Sequence, residues 1–316
     1  MNQTEVELHF SKKEARQYVL GLLRKEENVQ QAIAYGVHLL DAWCDVPAKY
    51  TTKQTRKNTL KTMNKEKIVE NLFVDVMMNI RDQTLANVST QLGVTLGFQE
   101  SREGITLAAE IVTVLSKTGF YILKRYSSRG SYYLVPALRL EEEELKIAHR
   151  GMYMPPMISY PTQLKHNRDS PYFTVKSDSL ILKNYNHHEK NIGIDVINIQ
   201  NAIPLQLSTE FLKAEKEKPT KTLADVEEKI KELPPHIQQE RIIQYQKGWY
   251  MHLYQSNYIY NVMHNLGNEF FIPNKVDKRG RVYMQGYHID PQGTSYKKAS
   301  VELKRTEKIE VPHDFF

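Results

Sequence analysis

The sequence predicts an α+β protein in which helices predominate. Residues 1–118 repeat apolar side chains at helical spacing, and residues 235–266 carry the same pattern over one long stretch. Between them, residues 120–135 hold two β-prone aromatic runs around a turn that ends in glycine, a pattern typical of a hairpin. With 316 residues, the chain is long enough for two or three modules and a sizeable core.

The composition indicates the class of protein and excludes several kinds of site. Hydrophobic residues make up 41% of the chain and charged residues 25%, which predicts a soluble globular protein. No apolar run approaches the ~20 residues of a membrane helix, and no signal peptide is predicted, so no membrane partner is expected. The lone cysteine, Cys44, excludes an internal disulfide and fits a reducing cytoplasm. His187 and His188 lack further ligands at metal spacing, so no metal site is expected.

The first 118 residues predict a helical bundle whose helices have recognisable ends. The predicted end signals are a capping box at Ser11 and Glu14, an N-cap at Asn64, and Gly119 after a helix over 105–117. Another helix is predicted over 27–43. The segment 49–61, KYTTKQTRKNTLK, is polar and basic and predicts a loop. We favour a solvated loop here over one that contacts nucleic acid.

The hairpin over 120–135 leaves two interpretations open. Arg129 would lie at its tip, with Lys124, Arg125 and tyrosines on its arms, so the hairpin has the chemistry to touch phosphate and stack on bases. Alternatively, it docks on its own domain and the tyrosines cover that surface.

The later half of the chain alternates extended and helical segments. Residues 152–161 are proline-rich and extended, Thr222 begins a short helix that ends before Pro234, and a long helix follows over 235–266. The apolar and aromatic stripe on this long helix suits a core, and an exposed ring-bearing face suits ligand binding equally well.

Basic charge is concentrated near the end of the chain. Residues 274–308 contain nine Lys or Arg and four acids, 9 − 4 = +5, nearly the whole formal charge of +6. Tyrosines lie between these cations, which predicts a surface that meets phosphate and bases. The alternative is a solvated, basic edge hairpin without a partner. Asp277 is expected to orient Arg281 four residues later, and Gly280 to let a strand or ligand approach the main chain. Residues 290–293 predict a turn.

These residues also resemble a known motif. The run DKRGRVY, followed by Pro-Gln-Gly and a lysine, resembles the D-x-x-G-R block that opens the palm of single-subunit phage and mitochondrial DNA-directed RNA polymerases. The matching residues are Asp277, Gly280, Arg281, Val282, Tyr283, Pro291, Gln292, Gly293 and, allowing one inserted residue, Lys298. Residues 195–207 resemble a helix of the same family, in which Asn198, Gln200 and Asn201 are expected to form structural hydrogen bonds.

The resemblance implies a division of the chain. An N-terminal helical domain with the β-hairpin would span 1–150, a connecting segment 151–207, thumb helices 208–268 and the first strands of a split right-hand palm 269–316. The residues that the resemblance assigns to nucleic acid are Asp277, Arg279, Gly280, Arg281, Tyr283, Gln292, Gly293, Lys298 and, at the hairpin tip, Arg129.

The family's metal-binding aspartates and fingers do not follow the block in this sequence. His313-Asp314 superficially resembles a metal motif, but it is expected to be a tail. The resemblance therefore implies the smaller, N-terminal subunit of a two-chain bacteriophage RNA polymerase, inactive alone and acting in the cytoplasm of the infected bacterial host. This chain would hold no catalytic residue, only Arg281 and Lys298 in support. A second subunit with palm and fingers would bind Mg²⁺.

The expected partners are thus that second subunit, template DNA and nascent RNA, with a single-strand-binding activator as a further candidate. The alternative function is a stand-alone accessory protein that binds single-stranded DNA or RNA through the same basic segment. A third alternative is a structural phage protein in which the match is coincidental.

Overall fold

The predicted fold class is confirmed. A computed structural model describes residues 1–97, 102–126, 130–177 and 179–305 of the chain. About 54% of these residues are helical, and small antiparallel sheets account for the strands among them. The protein is therefore a predominantly helical α+β protein.

The described residues form the following helices and strands. The helices are α1 Gln3–His9, α2 Lys12–Leu23, α3 Glu27–Asp45, α4 Thr51–Lys61, α5 Lys65–Met78, α6 Leu85–Thr95, α7 Arg102–Leu115, α8 Glu142–Arg150, α9 Ile194–Asn201, α10 Thr209–Ala214, α11 Leu223–Ile230, α12 Pro235–Asn265 and α13 Ser295–Ala299. The strands are β1 Gln83–Thr84, β2 Tyr121–Arg125, β3 Tyr132–Pro136, β4 Leu205–Leu207, β5 Asn274–Val276, β6 Val282–Met284 and β7 Val301–Leu303. The sheets have the orders β1-β3-β2, β4-β7 and β5-β6.

The chain divides into two compact units, each assembled from separate stretches of sequence. The block unit comprises Met1–Glu14, Arg150–Lys218 and His252–Phe316, and the helical unit comprises Ala15–His149 and Pro219–Met251. Helices α2 and α12 each contribute residues to both units. The division into four consecutive functional segments, which the family resemblance implies, stays a prediction.

The helical unit is built around a core shared by α3, α5 and α7. Leu40, Leu72 and Ile111 are fully buried there, and the Phe73 ring stacks on the Phe120 ring with centroids 3.8 Å apart. The predicted cap at Asn64 is confirmed, since its side chain accepts a hydrogen bond from the Lys67 amide at 2.9 Å. Gly119 ends the helical stretch after α7 with a φ of +77°, a conformation that glycine adopts without strain.

The prediction of a loop over 49–61 is wrong, because most of this segment forms helix α4. Leu60 is fully buried on the inner face of this helix. Arg56 forms ion pairs with Glu110 at 2.8 Å and Glu103 at 2.9 Å. These contacts join residues about fifty positions apart and stabilise a helix whose own apolar pattern is weak.

The predicted hairpin is confirmed as β2 and β3, paired from Tyr121 with Pro136 to Arg125 with Tyr132. One face docks on α12 of the same unit, where the Arg241 guanidinium lies 5.0 Å from the Tyr126 ring and 4.5 Å from the Tyr133 ring. Tyr132 remains exposed. The docking interpretation is thus confirmed for two tyrosines, while Arg129 lies outside the described residues.

We expect Phe73→Ala to lower the free energy of unfolding of the helical unit by about 3–5 kcal/mol, because it removes a buried stacked ring and leaves a cavity. Urea unfolding followed by circular dichroism measures this loss. The control is Ile122→Ala, on the exposed face of β2, which should change the free energy by less than about 0.5 kcal/mol. Equal losses in both variants would contradict the assigned core.

Candidate nucleic-acid interface

The extended segment 270–276 fixes the position of the basic residues that follow it in the block unit. Its backbone pairs with four stretches that are distant in sequence. The bonds are Phe270 with Leu205 at 2.8 and 2.9 Å, Phe271 with Met157 at 2.8 Å in both directions, Val276 with Leu180 and Leu182 at 2.9 and 2.7 Å, and Pro273 with Gln285 at 2.7 Å. Residues 270–274 are buried. The residue that follows this segment, Asp277, therefore starts from a fixed position.

Two asparagines of α9 form structural hydrogen bonds, and one of them supports the same segment. Asn201 Oδ1 accepts hydrogen bonds from the backbone amide of Asn274 at 2.7 Å and from its side-chain amide at 3.1 Å. Asn198 pairs with both the amide and the carbonyl of Leu164, each at 2.9 Å. The structural role expected for these two asparagines is confirmed. The helix expected over 195–207 ends earlier, at Asn201, because Pro204 follows and Leu205–Leu207 pair with β7 instead.

The motif itself is the turn between β5 and β6. The Asp277 amide donates to the Arg281 carbonyl at 3.0 Å, and the Gly280 amide donates to the Asp277 carbonyl at 2.9 Å. Gly280 has a φ of +80°, as expected for the left-handed position of a three-residue hairpin loop. No described atom lies within 4 Å of a Cβ built there, so the turn conformation, and not crowding within the chain, requires glycine.

The carboxylate of Asp277 organises this turn. Its Oδ1 accepts the backbone amides of Arg279 at 2.8 Å and Arg281 at 3.1 Å, while Oδ2 accepts Nε and Nη2 of Arg281 at 2.8 and 2.5 Å. The predicted pairing of Asp277 with Arg281 is confirmed. Desolvation acts to raise the pKa of Asp277, but the hydrogen bonds and charge of Arg281 prevail and hold that pKa below its usual value.

The pairing leaves Arg281 prepared to bind an anion. Its side chain is 53% exposed, and two of its five N–H groups donate to Asp277. The remaining three form a planar donor set in a fixed orientation, the geometry that matches a phosphate. The guanidinium also lies 5.6 Å from the Tyr283 ring centroid, so a cation and an aromatic ring are adjacent. Arg279, on the same turn, is 63% exposed.

The predicted turn at 290–293 is confirmed, and it is tied to the hairpin. The Gly293 amide donates to the Asp290 carbonyl at 2.9 Å. The side-chain amide of Gln292 accepts from the Met284 amide at 2.9 Å and donates to the Val282 carbonyl at 3.3 Å. Gln292 thus replaces a neighbouring strand along the outer edge of β6, a contact that sequence spacing did not reveal.

The predicted lysine lies on α13, where Lys298 is exposed and makes no ion pair within the described residues. The neighbouring Lys297 instead donates to the Tyr287 carbonyl and lies 4.7 Å from the Tyr287 ring. The structure therefore places Asp277, Arg279, Gly280, Arg281 and Tyr283 on one hairpin, with Gln292 bound to it. Gly293 and Lys298 follow in the next turn and helix.

A cleft of about 480 Å³ opens beside this hairpin, which sequence reasoning missed. Lys176 and Lys275 line it together with Tyr153 and Tyr287, whose rings stack 3.5 Å apart. The aromatic pair joins residues more than a hundred positions apart, so no local pattern could have identified it.

His288, which follows β6 in the chain, is buried against α12. Its Nδ1 lies 2.8 Å from Ser256 Oγ, and its ring stacks on His252, whose Nε2 is 2.9 Å from a carboxylate oxygen of Glu217. Burial first, and then the nearby charges of His252 and Lys297, lower the pKa of His288 to about 3. His288 is therefore neutral at physiological pH and serves to anchor the block.

No protein-family model and no curated protein matches the chain. Within the described residues, no group of three or more His, Cys, Asp or Glu side chains is arranged to hold a metal ion. None of the described helices combines the length and the apolar character needed to cross a bilayer.

Because the pKa of Asp277 is lowered in the fold, its pairing with Arg281 should persist as the pH falls to about 4, the ordinary Asp value, and weaken only below it. The Nε–H signal of Arg281 in a nitrogen–proton correlation spectrum should therefore stay constant down to that pH and then move. Asp277→Asn, which cannot ionise, should show no such movement. A transition well above pH 4 would contradict the pairing.

The lowered pKa of His288 predicts a different pH dependence. The unfolded chain binds a proton at this histidine near pH 6.5 and the folded chain only near pH 3, so stability should fall as the pH decreases between those values. The loss approaches 1.4 kcal/mol for each pH unit. Urea unfolding of His288→Gln should show a shallower dependence than the unsubstituted protein. His264→Gln, at an exposed position, is the control and should retain the steeper dependence.

Proposed function

We propose that this chain is the N-terminal subunit of a two-chain, bacteriophage DNA-directed RNA polymerase that works in the cytoplasm of the infected host. The observation that carries the proposal is the Asp277–Arg281 pair on the Gly280 turn, flanked by the Tyr283 ring. It supports the resemblance because Asp277, Gly280 and Arg281 each have a physical role in one turn, next to Tyr283. In the proposed enzyme, this arrangement contacts the template DNA and the RNA–DNA hybrid.

In this proposal the chain contributes positioning and charge. Three N–H groups of Arg281 bind strand phosphates, and Asp277 keeps the guanidinium from collapsing onto other acceptors. Lys298 supplies a second, mobile positive charge. Tyr283 packs near a template base. Helices α10 to α12 provide the proposed thumb.

The metal chemistry belongs to the proposed second subunit. Within the described residues, no group of three or more His, Cys, Asp or Glu side chains is arranged to hold a metal ion. In this proposal no step through the metal is assigned to this chain. The partner, with palm and fingers, would bind Mg²⁺ and form the new bond.

A stand-alone accessory protein that binds single-stranded DNA or RNA is the second candidate. The exposure of Arg279, Arg281 and Lys298 favours it, since exposed cations beside Tyr283 also bind a single strand without any polymerase partner. The two candidates differ in whether a second chain and RNA synthesis accompany the binding.

Affinity purification of the tagged chain from infected cells tests the proposal. We expect a second polypeptide in equal amount, and RNA extension by the pair with magnesium and nucleoside triphosphates. Arg281→Ala should lower RNA synthesis on the order of 10- to 100-fold, because charged hydrogen bonds contribute about 1.5–3 kcal/mol each. Arg281→Lys should retain only part of the RNA synthesis, since lysine lacks the planar donor set of a guanidinium.

Lys190→Ala is the matched control, because Lys190 is exposed in the same unit and makes no ion pair among the described residues. It should leave RNA synthesis unchanged. Subunit association should survive in every variant. RNA synthesis by the isolated chain would overturn the split enzyme. Loss of association in Arg281→Ala would identify the block as a subunit interface, and single-strand binding without any partner would favour the accessory protein.

A further inference from the structure

A cleft in the helical unit has the chemistry of a second anion site, independent of the basic block. It has a volume of about 500 Å³, within the range of sites that hold one nucleotide-sized ligand. Residues of α3, the following turn, α4 and the end of α7 line it. Its charged lining residues are four lysines, Lys49, Lys53, Lys57 and Lys117, and its lining includes no acid.

The lysines of this cleft lack counter-charges. Lysines next to the cleft in sequence are paired, Lys61 of α4 with Asp45 at 3.0 Å and Lys65 of α5 with Asp41 at 3.1 Å. None of the four cleft lysines forms an ion pair within the described part of the chain. The nearby acids Asp41 and Asp45 thus pair with lysines outside the cleft, and the cleft keeps an unbalanced positive charge.

Lys57 is the most informative of the four. It is only 3% exposed, and its ammonium donates to the Val46 carbonyl and lies 4.9 Å from the Trp43 ring centroid. A buried cation normally has an anion beside it, because burial without one is costly. A carbonyl and a ring face supply only partial negative charge. An anionic ligand in the cleft would complete the neutralisation.

Aromatic rings indicate what kind of anion fits. Tyr50 is 65% exposed, and Lys49 lies 5.8 Å from its ring centroid. Trp43 forms part of the cleft wall, and the Lys53 ammonium lies 5.9 Å from its ring centroid. Exposed rings interleaved with cations are the features that hold a base and its phosphate in single-strand sites. An acidic peptide would satisfy the lysines but would not require the ring faces.

We propose that this cleft binds single-stranded nucleic acid, with the backbone phosphates on Lys49, Lys53, Lys57 and Lys117 and a base stacked on Tyr50. The first turn of α4 adds backbone amides that receive no side-chain cap from Tyr50, and no acid lies in that turn. This inference goes beyond the proposed polymerase function, because it requires neither a second subunit nor the block over 274–298.

Trp43 provides a direct test in the full-length chain. The chain contains two tryptophans, so Trp249→Phe leaves Trp43 as the single reporter. Titration with a twelve-residue oligothymidylate should quench its fluorescence, and the affinity should fall as salt increases. Lys53→Gln with Lys117→Gln should weaken binding about 25-fold at 0.1 M salt and reduce the salt slope by about 1.4, since each single-strand phosphate contact releases about 0.7 ion. Tyr50→Ala should weaken binding by about tenfold.

The control removes two charges elsewhere in the helical unit. Lys25→Gln with Lys67→Gln, both at exposed positions, should leave the salt slope and the quenching of Trp43 nearly unchanged. Arg281→Ala with Lys298→Ala should also leave quenching unchanged, which separates this site from the block. Absence of quenching, equal effects of cleft and control variants, or equal quenching by inorganic phosphate alone would overturn the proposal.

Discussion

The block unit depends on the paired backbone of one extended segment, 270–276. Both edges of this segment are hydrogen-bonded to other stretches of the chain, the most distant of which lies more than a hundred residues away. Because residues 270–274 are also buried, the segment has few alternative positions. Asp277 follows it directly, so the turn that carries the basic residues projects from a rigid base. A binding site on such a base retains its geometry when a ligand arrives.

The ion pair of Asp277 with Arg281 matters for geometry more than for stability. The Arg281 side of the pair is exposed to solvent, and ion pairs at the surface contribute little to the free energy of folding. What it does is select one orientation of a long side chain and leave three donors in a plane. Gln292 fixes strand β6 in a similar way. Its side-chain amide bonds the outer backbone groups of Met284 and Val282 and so links the two turns. Neutral His288 anchors the following residues from within.

Two basic surfaces, one in each unit, use the same physical combination. In the block, Arg281 lies beside the Tyr283 ring, and in the cleft of the helical unit, Lys57 lies beside the Trp43 ring. Cations with adjacent ring faces favour nucleotides over simple ions, because they accept both the phosphate and the base. The two surfaces lie on different elements, the first on the turn between β5 and β6 and the second among α3, α4 and the end of α7. Their contributions are therefore separable by mutation.

Local sequence alone determined the features that arise from near neighbours. The hairpin β2–β3, the cap at Asn64, the long helix α12 and the pairing of Asp277 with Arg281 all follow from spacings of a few residues. Only the tertiary structure decided that 51–61 is a helix, that α9 ends at Asn201, and that Gln292 binds β6. The first depends on partners distant in sequence, such as Glu110 for Arg56, and the second on Pro204 together with the pairing of β4 with the distant β7. The third is a side-chain contact between residues eight positions apart. Periodicity cannot report such contacts, because it records only which residues share a face and not what that face meets.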